Sequence, residues 1–177
     1  MKPITLLTGA AASGKNTIAQ YYATRFCERC AVIDGDVVRW MLRQPHIAPW
    51  DEPEGLAQHR LGVKHACMLA KSFAAEDCEV MILDVLWADL AHRYRDDLRG
   101  YPLRIVRLLP SWETSLKRLH ERPPSISDSE ARWVYDTQLA LTDFDLSIDN
   151  SALSVEEVAR RLAAYREERA GSGASVE

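Results

Sequence analysis

The sequence predicts an α/β domain of three layers, with a parallel sheet of five strands and helices on both faces. Three observations carry that prediction. Short aliphatic runs recur along the chain, they alternate with longer segments of helical period, and most are apolar at nearly every position rather than at every second one. A strand that is apolar on both sides must be covered on both faces, as strands are in a parallel sheet.

The elements follow in order. The first strand, Ile4–Thr8, runs into Gly9 and then a helix over 15–26. A second strand, Ala31–Asp34, leads into a helix over 35–43. The stretch from Gln44 to Gly55 holds Pro45, Pro49, Trp50 and Pro53, so it cannot be regular helix and reads as a surface flap. Leu56, Leu61, Ala66, Leu69 and Phe73 suggest the apolar stripe of a helix over 56–76. Strand Glu79–Asp84, a helix over 88–99, strand Leu103–Leu109 and a helix over 112–121 come next. Pro123 and Pro124 then break the chain beside several arginines, which predicts a short lid over about 121–130 before a helix over 129–141. Strand Asp145–Asp149 precedes a last helix over 154–168, which opens with the Ser154 hydroxyl and then Glu156 and Glu157 in its first turn. Ala170–Glu177 is rich in Gly, Ser and Ala and is expected to be a disordered tail, leaving one domain over 1–169. No internal repeat is visible.

Composition narrows the function. One hundred and seventy-seven residues suit one domain. Twenty-two Lys and Arg against 26 Asp and Glu give a net charge of −4, which disfavours a nucleic-acid partner. No apolar run approaches the ~18 residues that a membrane span requires. The opening apolar stretch is too brief for a signal peptide, so the four cysteines (27, 30, 67 and 78) read as reduced thiols of a cytoplasmic protein. Cys27 and Cys30 have a redox spacing but sit at the end of the first helix, where the dipole is expected to raise a thiol pKa; neither a redox nor a metal role is assigned to them.

The strongest local signal is Gly9-Ala10-Ala11-Ala12-Ser13-Gly14-Lys15-Asn16-Thr17, placed between the first strand and the first helix. Glycines let the chain wrap closely, and the N–H groups at the start of a helix converge on one anion. Lys15 is then expected to reach the β- and γ-phosphates of a nucleoside triphosphate. Where a hydroxyl residue usually follows the lysine and contacts Mg²⁺, this chain has Asn16, with Thr17 next. Ligands of an open α/β sheet sit beyond the carboxyl ends of its strands. Asp34 and Asp36 lie there after the second strand and Asp84 at the end of the third. Asp36 is the expected base for an acceptor hydroxyl, although an aspartate there also suits a helix cap. Asn16, Thr17, Asp34 and Asp84 are the expected surroundings of Mg²⁺. Arg118 and Arg122, one turn apart, are expected to face the transferring phosphoryl group, with Arg132 a weaker candidate. Arg39, Trp40, Trp50, His59, Arg60, Trp87 and Arg93 are candidates for the acceptor wall; of these Arg39, Trp40 and Trp87 are preferred, together with Asp36.

Gly-x4-Gly-Lys, then Ile33-Asp34-Gly35-Asp36-Val37-Val38-Arg39, then a strand ending in Asp84 resembles the small P-loop kinases. The likeness is to the chloramphenicol-phosphotransferase-like group, with echoes of adenylylsulfate, gluconate and shikimate kinases and of zeta toxins. It implies a parallel five-stranded sheet with a mobile lid, ATP and Mg²⁺ as cofactors, and Asp36 as the acid that activates the acceptor. Arg118 and Arg122-Pro123 look like the helix arginine and lid Arg-Pro of shikimate-kinase-like proteins. By the same likeness, Asn150 borders the adenine ring. The expectation is an ATP-dependent phosphotransferase acting on a hydroxyl of a small molecule, as a monomer or homodimer. The rival readings are a nucleoside, nucleotide or polynucleotide-end kinase and an ATP-binding switch without catalysis.

Overall fold

The computed structural model describes residues 2–123 and 125–172. The strands are β1 (Ile4–Gly9), β2 (Cys30–Asp34), β3 (Glu79–Leu83), β4 (Leu103–Leu108) and β5 (Leu146–Ile148). The helices are α1 (Lys15–Phe26), α2 (Gly35–Arg39), α3 (Glu54–Ala75), α4 (Leu90–Asp97), α5 (Trp112–His120), α6 (Asp128–Ala140) and α7 (Val155–Ser172). The strands form one sheet in the order β2-β3-β1-β4-β5, and every pairing is parallel.

Successive residues of the central strands point to opposite faces, and both faces are dry. Ile4 and Leu6 of β1, Val80 and Ile82 of β3 and Ile105 of β4 pack beneath α3 and α4, against Val63, Ala66, Leu90 and Tyr94. Leu7, Met81, Leu83, Val106 and Leu108 pack on the other side against Ile18 and Tyr22 of α1 and Val158 and Leu162 of α7. The three layers follow directly. A buried triangle ties α6 to the centre of the sheet: Thr8 donates to Gln138 Oε1 (2.8 Å), Gln138 Nε2 to the Leu86 carbonyl (2.7 Å), and the Leu86 N–H to Thr8 Oγ1 (3.0 Å).

Several expectations need correction. The expected apolar stripe of α3 faces the core only at Leu56 and Ala66: Leu61, Leu69 and Phe73 are exposed, and the buried side carries Gly62, Val63, Ala66, Cys67, Ala70 and Ala74. The helix lies so close to its neighbours that small residues fill the space; a Cβ at Gly62 would already touch the Arg39 side chain at 3.5 Å. Helix α2 stops at Arg39, because Met41 N–H bonds back only three residues, to Val38, and a tight turn replaces the helix. Helix α7 continues to Ser172, into the segment expected to be a tail; residues 173–177 lie outside the described residues, as does Pro124 of the expected lid. The capping arrangement at Ser154 is present, with Glu157 N–H on Ser154 Oγ (3.2 Å) and Ser154 N–H on Glu157 (2.7 Å).

Candidate active site

The loop after β1 turns at Ala12 and Gly14, which have φ of 55° and 88°, and α1 begins at the next residue. Only the glycine enters that left-handed region freely, so Gly14 lets α1 start with its N–H groups aimed into the loop. Lys15 folds back over it, donating to the Gly9 carbonyl at 2.9 Å and the Ala10 carbonyl at 3.3 Å. Burial pulls its ammonium below the ordinary lysine value, and the charges of Asp36, Asp84 and Asp34 oppose that shift. Arg122 pushes in the same direction as burial. One cation, three acids and a second cation therefore converge around the loop.

On one side of the loop lies a cleft of about 280 Å³, lined by Ala12, Ser13, Gly14, Thr17, Arg118, Arg122 and Asn150. Asn150 Nδ2 donates to the Ser13 carbonyl (2.8 Å), and Arg118 Nη2 donates to the Asn150 carbonyl (2.9 Å) and the Ser151 carbonyl (3.3 Å). These bonds strap the β5–α7 connection and α5 onto the phosphate loop. Ser13 Oγ and Asn150 Oδ1 are buried there without a protein partner.

The acids lie on the other side. Asp34, not Asp36, caps α2: its Oδ1 accepts from the N–H groups of Asp36 (3.0 Å) and Val37 (3.4 Å), and its Oδ2 accepts from Asn16 Nδ2 (2.6 Å). Asp36 is thereby freed from the capping role and stands 66% exposed in the first turn of α2. Its Oδ1 accepts from Arg39 Nη2 at 2.8 Å. Arg39 itself is 9% exposed, and its Nη1 is buried without an acceptor.

Asp84 departs from expectation. It is buried, and its carboxylate is occupied: Oδ1 bonds His59 Nε2 (2.8 Å) and the Val85 N–H (2.8 Å), and Oδ2 accepts from Tyr94 (2.8 Å). Burial pushes its pKa up, and the hydrogen bonds from His59, Tyr94 and the Val85 N–H pull against that shift. Three donors leave it little capacity for direct metal contact. Asn16 Oδ1 and Asp34 Oδ2 are hard oxygen donors beside the loop, and among the described residues no group of three His, Cys, Asp or Glu forms a metal cage. That set fits Mg²⁺ carried largely by phosphates and water.

The other candidates separate. Trp87 is buried and donates to His59 Nδ1 at 3.1 Å. Trp40 is half exposed and stacks on His46. Trp50 meets Trp133 edge-on. Arg60 and Arg93 both bond Asp89, away from Asp36. Arg132 packs over Trp112 and Tyr135 and pairs with Asp136. The flap is pinned rather than loose: Ile47 N–H donates to Gln58 Oε1 (3.1 Å) and Gln58 Nε2 to the Pro45 carbonyl (2.8 Å). Sequence reasoning missed Tyr94, Trp133 and the His59–Asp84 bond, whose partners share no periodicity. The thiols of Cys27 and Cys30 act on each other, which pulls the Cys27 pKa down and pushes the Cys30 pKa up. No helix among the described residues is long and apolar enough to cross a membrane.

No protein-family model and no curated protein matches this chain in sequence. Solved structures match it closely in fold. A sugar kinase from Janibacter sp., unliganded, superposes with a TM-score of 0.70 at 18% identity, covering 94% of this chain and 95% of the other. The tunicamycin resistance protein of Deinococcus radiodurans also gives a TM-score of 0.70 at 18% identity, over 93% and 95%. The Mycobacterium tuberculosis APS kinase in complex with AMPPNP and APS gives 0.70 at 19% identity, over 94% and 98%. The chain has the fold of the small P-loop kinases.

Proposed function

We propose that this protein is a phosphotransferase that moves the γ-phosphate of ATP to a hydroxyl of a small molecule. The observation that carries the reading is the convergence on one phosphate loop of Lys15, the arginine-lined cleft and an exposed Asp36 that is relieved of capping duty. The triphosphate would lie on the N–H groups of residues 9–17, with Lys15 exchanging its two loop carbonyls for phosphate oxygens. The nucleoside would occupy the cleft beside Arg118 and Asn150, where Asn150 Oδ1 and Ser13 Oγ gain partners.

Asn16 Oδ1, Asp34 Oδ2 and the Thr17 hydroxyl are the groups that would hold Mg²⁺ with the phosphates; the ion supplies charge neutralisation. Asp36 Oδ2 takes the proton of the acceptor hydroxyl. The hydroxyl oxygen then bonds to the γ-phosphorus as the bond to the β-phosphate oxygen breaks, and ADP leaves. Lys15 and Arg122 balance the charge on the transferring group. An acceptor with an anionic or carbonyl oxygen beside the reacting hydroxyl would also satisfy the orphaned Arg39 Nη1.

The test is transfer from γ-labelled ATP to a library of hydroxyl compounds. The wild-type protein should label an acceptor, and Asp36→Asn should bind ATP as before while transfer falls about 100-fold or more. Undiminished transfer by Asp36→Asn removes the proposed base. ATP binding with no labelled acceptor in the wild type supports a nucleotide switch instead.

A further inference from the structure

A buried chain of hydrogen bonds lies under this site, and its protonation can be read from donor chemistry. Trp87 Nε1 is 3.1 Å from His59 Nδ1. An indole nitrogen can only donate, so Nδ1 must present a lone pair. The imidazole proton is then on Nε2, 2.8 Å from Asp84 Oδ1. An imidazolium would set one N–H against another, so the His59–Asp84 contact is a neutral donor on a carboxylate rather than an ion pair. Asp84 accepts from Val85 and Tyr94 as well, and His59, Asp84 and Tyr94 are all buried.

Asp84 matters because of what rests on it. A Cβ at Gly35 would lie 3.0 Å from Asp84 Cγ, so the helix that carries Asp36 starts directly against this carboxylate. Asp84 also acts on the Lys15 ammonium. At its other end the chain meets two further tryptophans: Trp87 packs edge-on against Trp133 (5.1 Å, 75°), and Trp133 against Trp50 of the 44–55 segment (6.0 Å, 70°).

We propose that Trp87 and His59 are positioning residues that hold Asp84 as a fixed, acceptor-only carboxylate beneath Lys15 and the start of α2. The catalytic part of this inference rests on the phosphotransferase reading, whereas the tautomer does not. Trp87 keeps His59 Nδ1 bare, His59 Nε2–H helps to hold the Asp84 carboxylate in place, and Asp84 acts on Lys15 and supports the start of α2.

Long-range proton–nitrogen spectra of the labelled full chain test this on the resting protein. The His59 ring should show a protonated Nε2 and a bare Nδ1, and Trp87→Phe should let Nδ1 take up a proton while Nε2 keeps its own. Activity is read as ADP formed from MgATP without added acceptor. Trp87→Phe should lower kcat about tenfold or more, with the KM for ATP little changed. His59→Gln, whose amide N–H overlays Nε2, should keep most activity, and His59→Asn, whose amide overlays Nδ1, should not. The second pair carries the test if Trp87→Phe fails to fold.

A wild-type His59 that is protonated on Nδ1 overturns the proposal. So does a Trp87→Phe protein with unchanged kcat, or equal activity in the Gln and Asn variants. A protein with the expected tautomer that binds no ATP contradicts the phosphotransferase reading and leaves the tautomer standing.

Discussion

Tyr94 hides its phenol completely and donates a hydrogen bond to Asp84, and that arrangement has a consequence at high pH. Burial, and next the Asp84 charge, push the Tyr94 pKa well above its ordinary value of 10.0. Burial likewise pushes the Cys67 thiol from 9.0 to about 12. Both groups are raised on folding, so the unfolded chain loses these protons first as alkali is added. Their stabilisation is complete below about pH 9 and is lost as the pH climbs through the folded values. Thermal melts should show a melting temperature that falls steadily from about pH 9 upward, with a shallower early fall in Cys67→Ala. A flat profile to about pH 11 would contradict the buried state of both groups. Residue chemistry also explains which site roles could be read in advance. Gly14 and Lys15 belong to a contiguous motif with a local mechanism, so their positions followed from spacing alone. Asp36 reads as either the base or the cap of the helix, and the backbone geometry instead assigns the cap to Asp34. Residues 59, 84, 87 and 94 come from α3, the β3–α4 connection and α4, and no sequence period joins them.

Elements were more legible than contacts. All five strands lie within one residue of their expected ends, because buried parallel strands announce themselves as continuous aliphatic runs. Helix faces were harder. The pattern of α3 chose its large residues for the core, while close packing against α2 and α4 reserved that side for Gly, Ala and Cys. The flap shows how such closeness is used. Gly55 in the first turn of α3 sits against the backbone of the flap, where an added Cβ would collide with the Ala48 carbonyl oxygen and reach the Pro49 carbonyl at 2.9 Å. Gly55→Ala should therefore lower stability by about 1–3 kcal/mol through overpacking and speed proteolysis within residues 44–53. Denaturant melts and limited digestion check this, and wild-type behaviour in both would show that the flap is not held there.

For the molecule as a whole, the two dry faces of the sheet make a rigid base, and the candidate site residues gather at the carboxyl ends of its strands. The phosphate loop, the cleft beside Arg118 and the acids after β2 and β3 meet there from segments far apart in the chain. The net charge of −4 is consistent with local rather than global attraction for an anion, since the cations that matter are few and placed. Everything in the functional account requires that this loop grip a triphosphate. Isothermal titration of the folded protein with MgATP is the most direct check. A single-site binding heat in the wild type that disappears in Lys15→Ala is the predicted result; no binding heat in the folded wild-type protein, or equal heats in both, would contradict it.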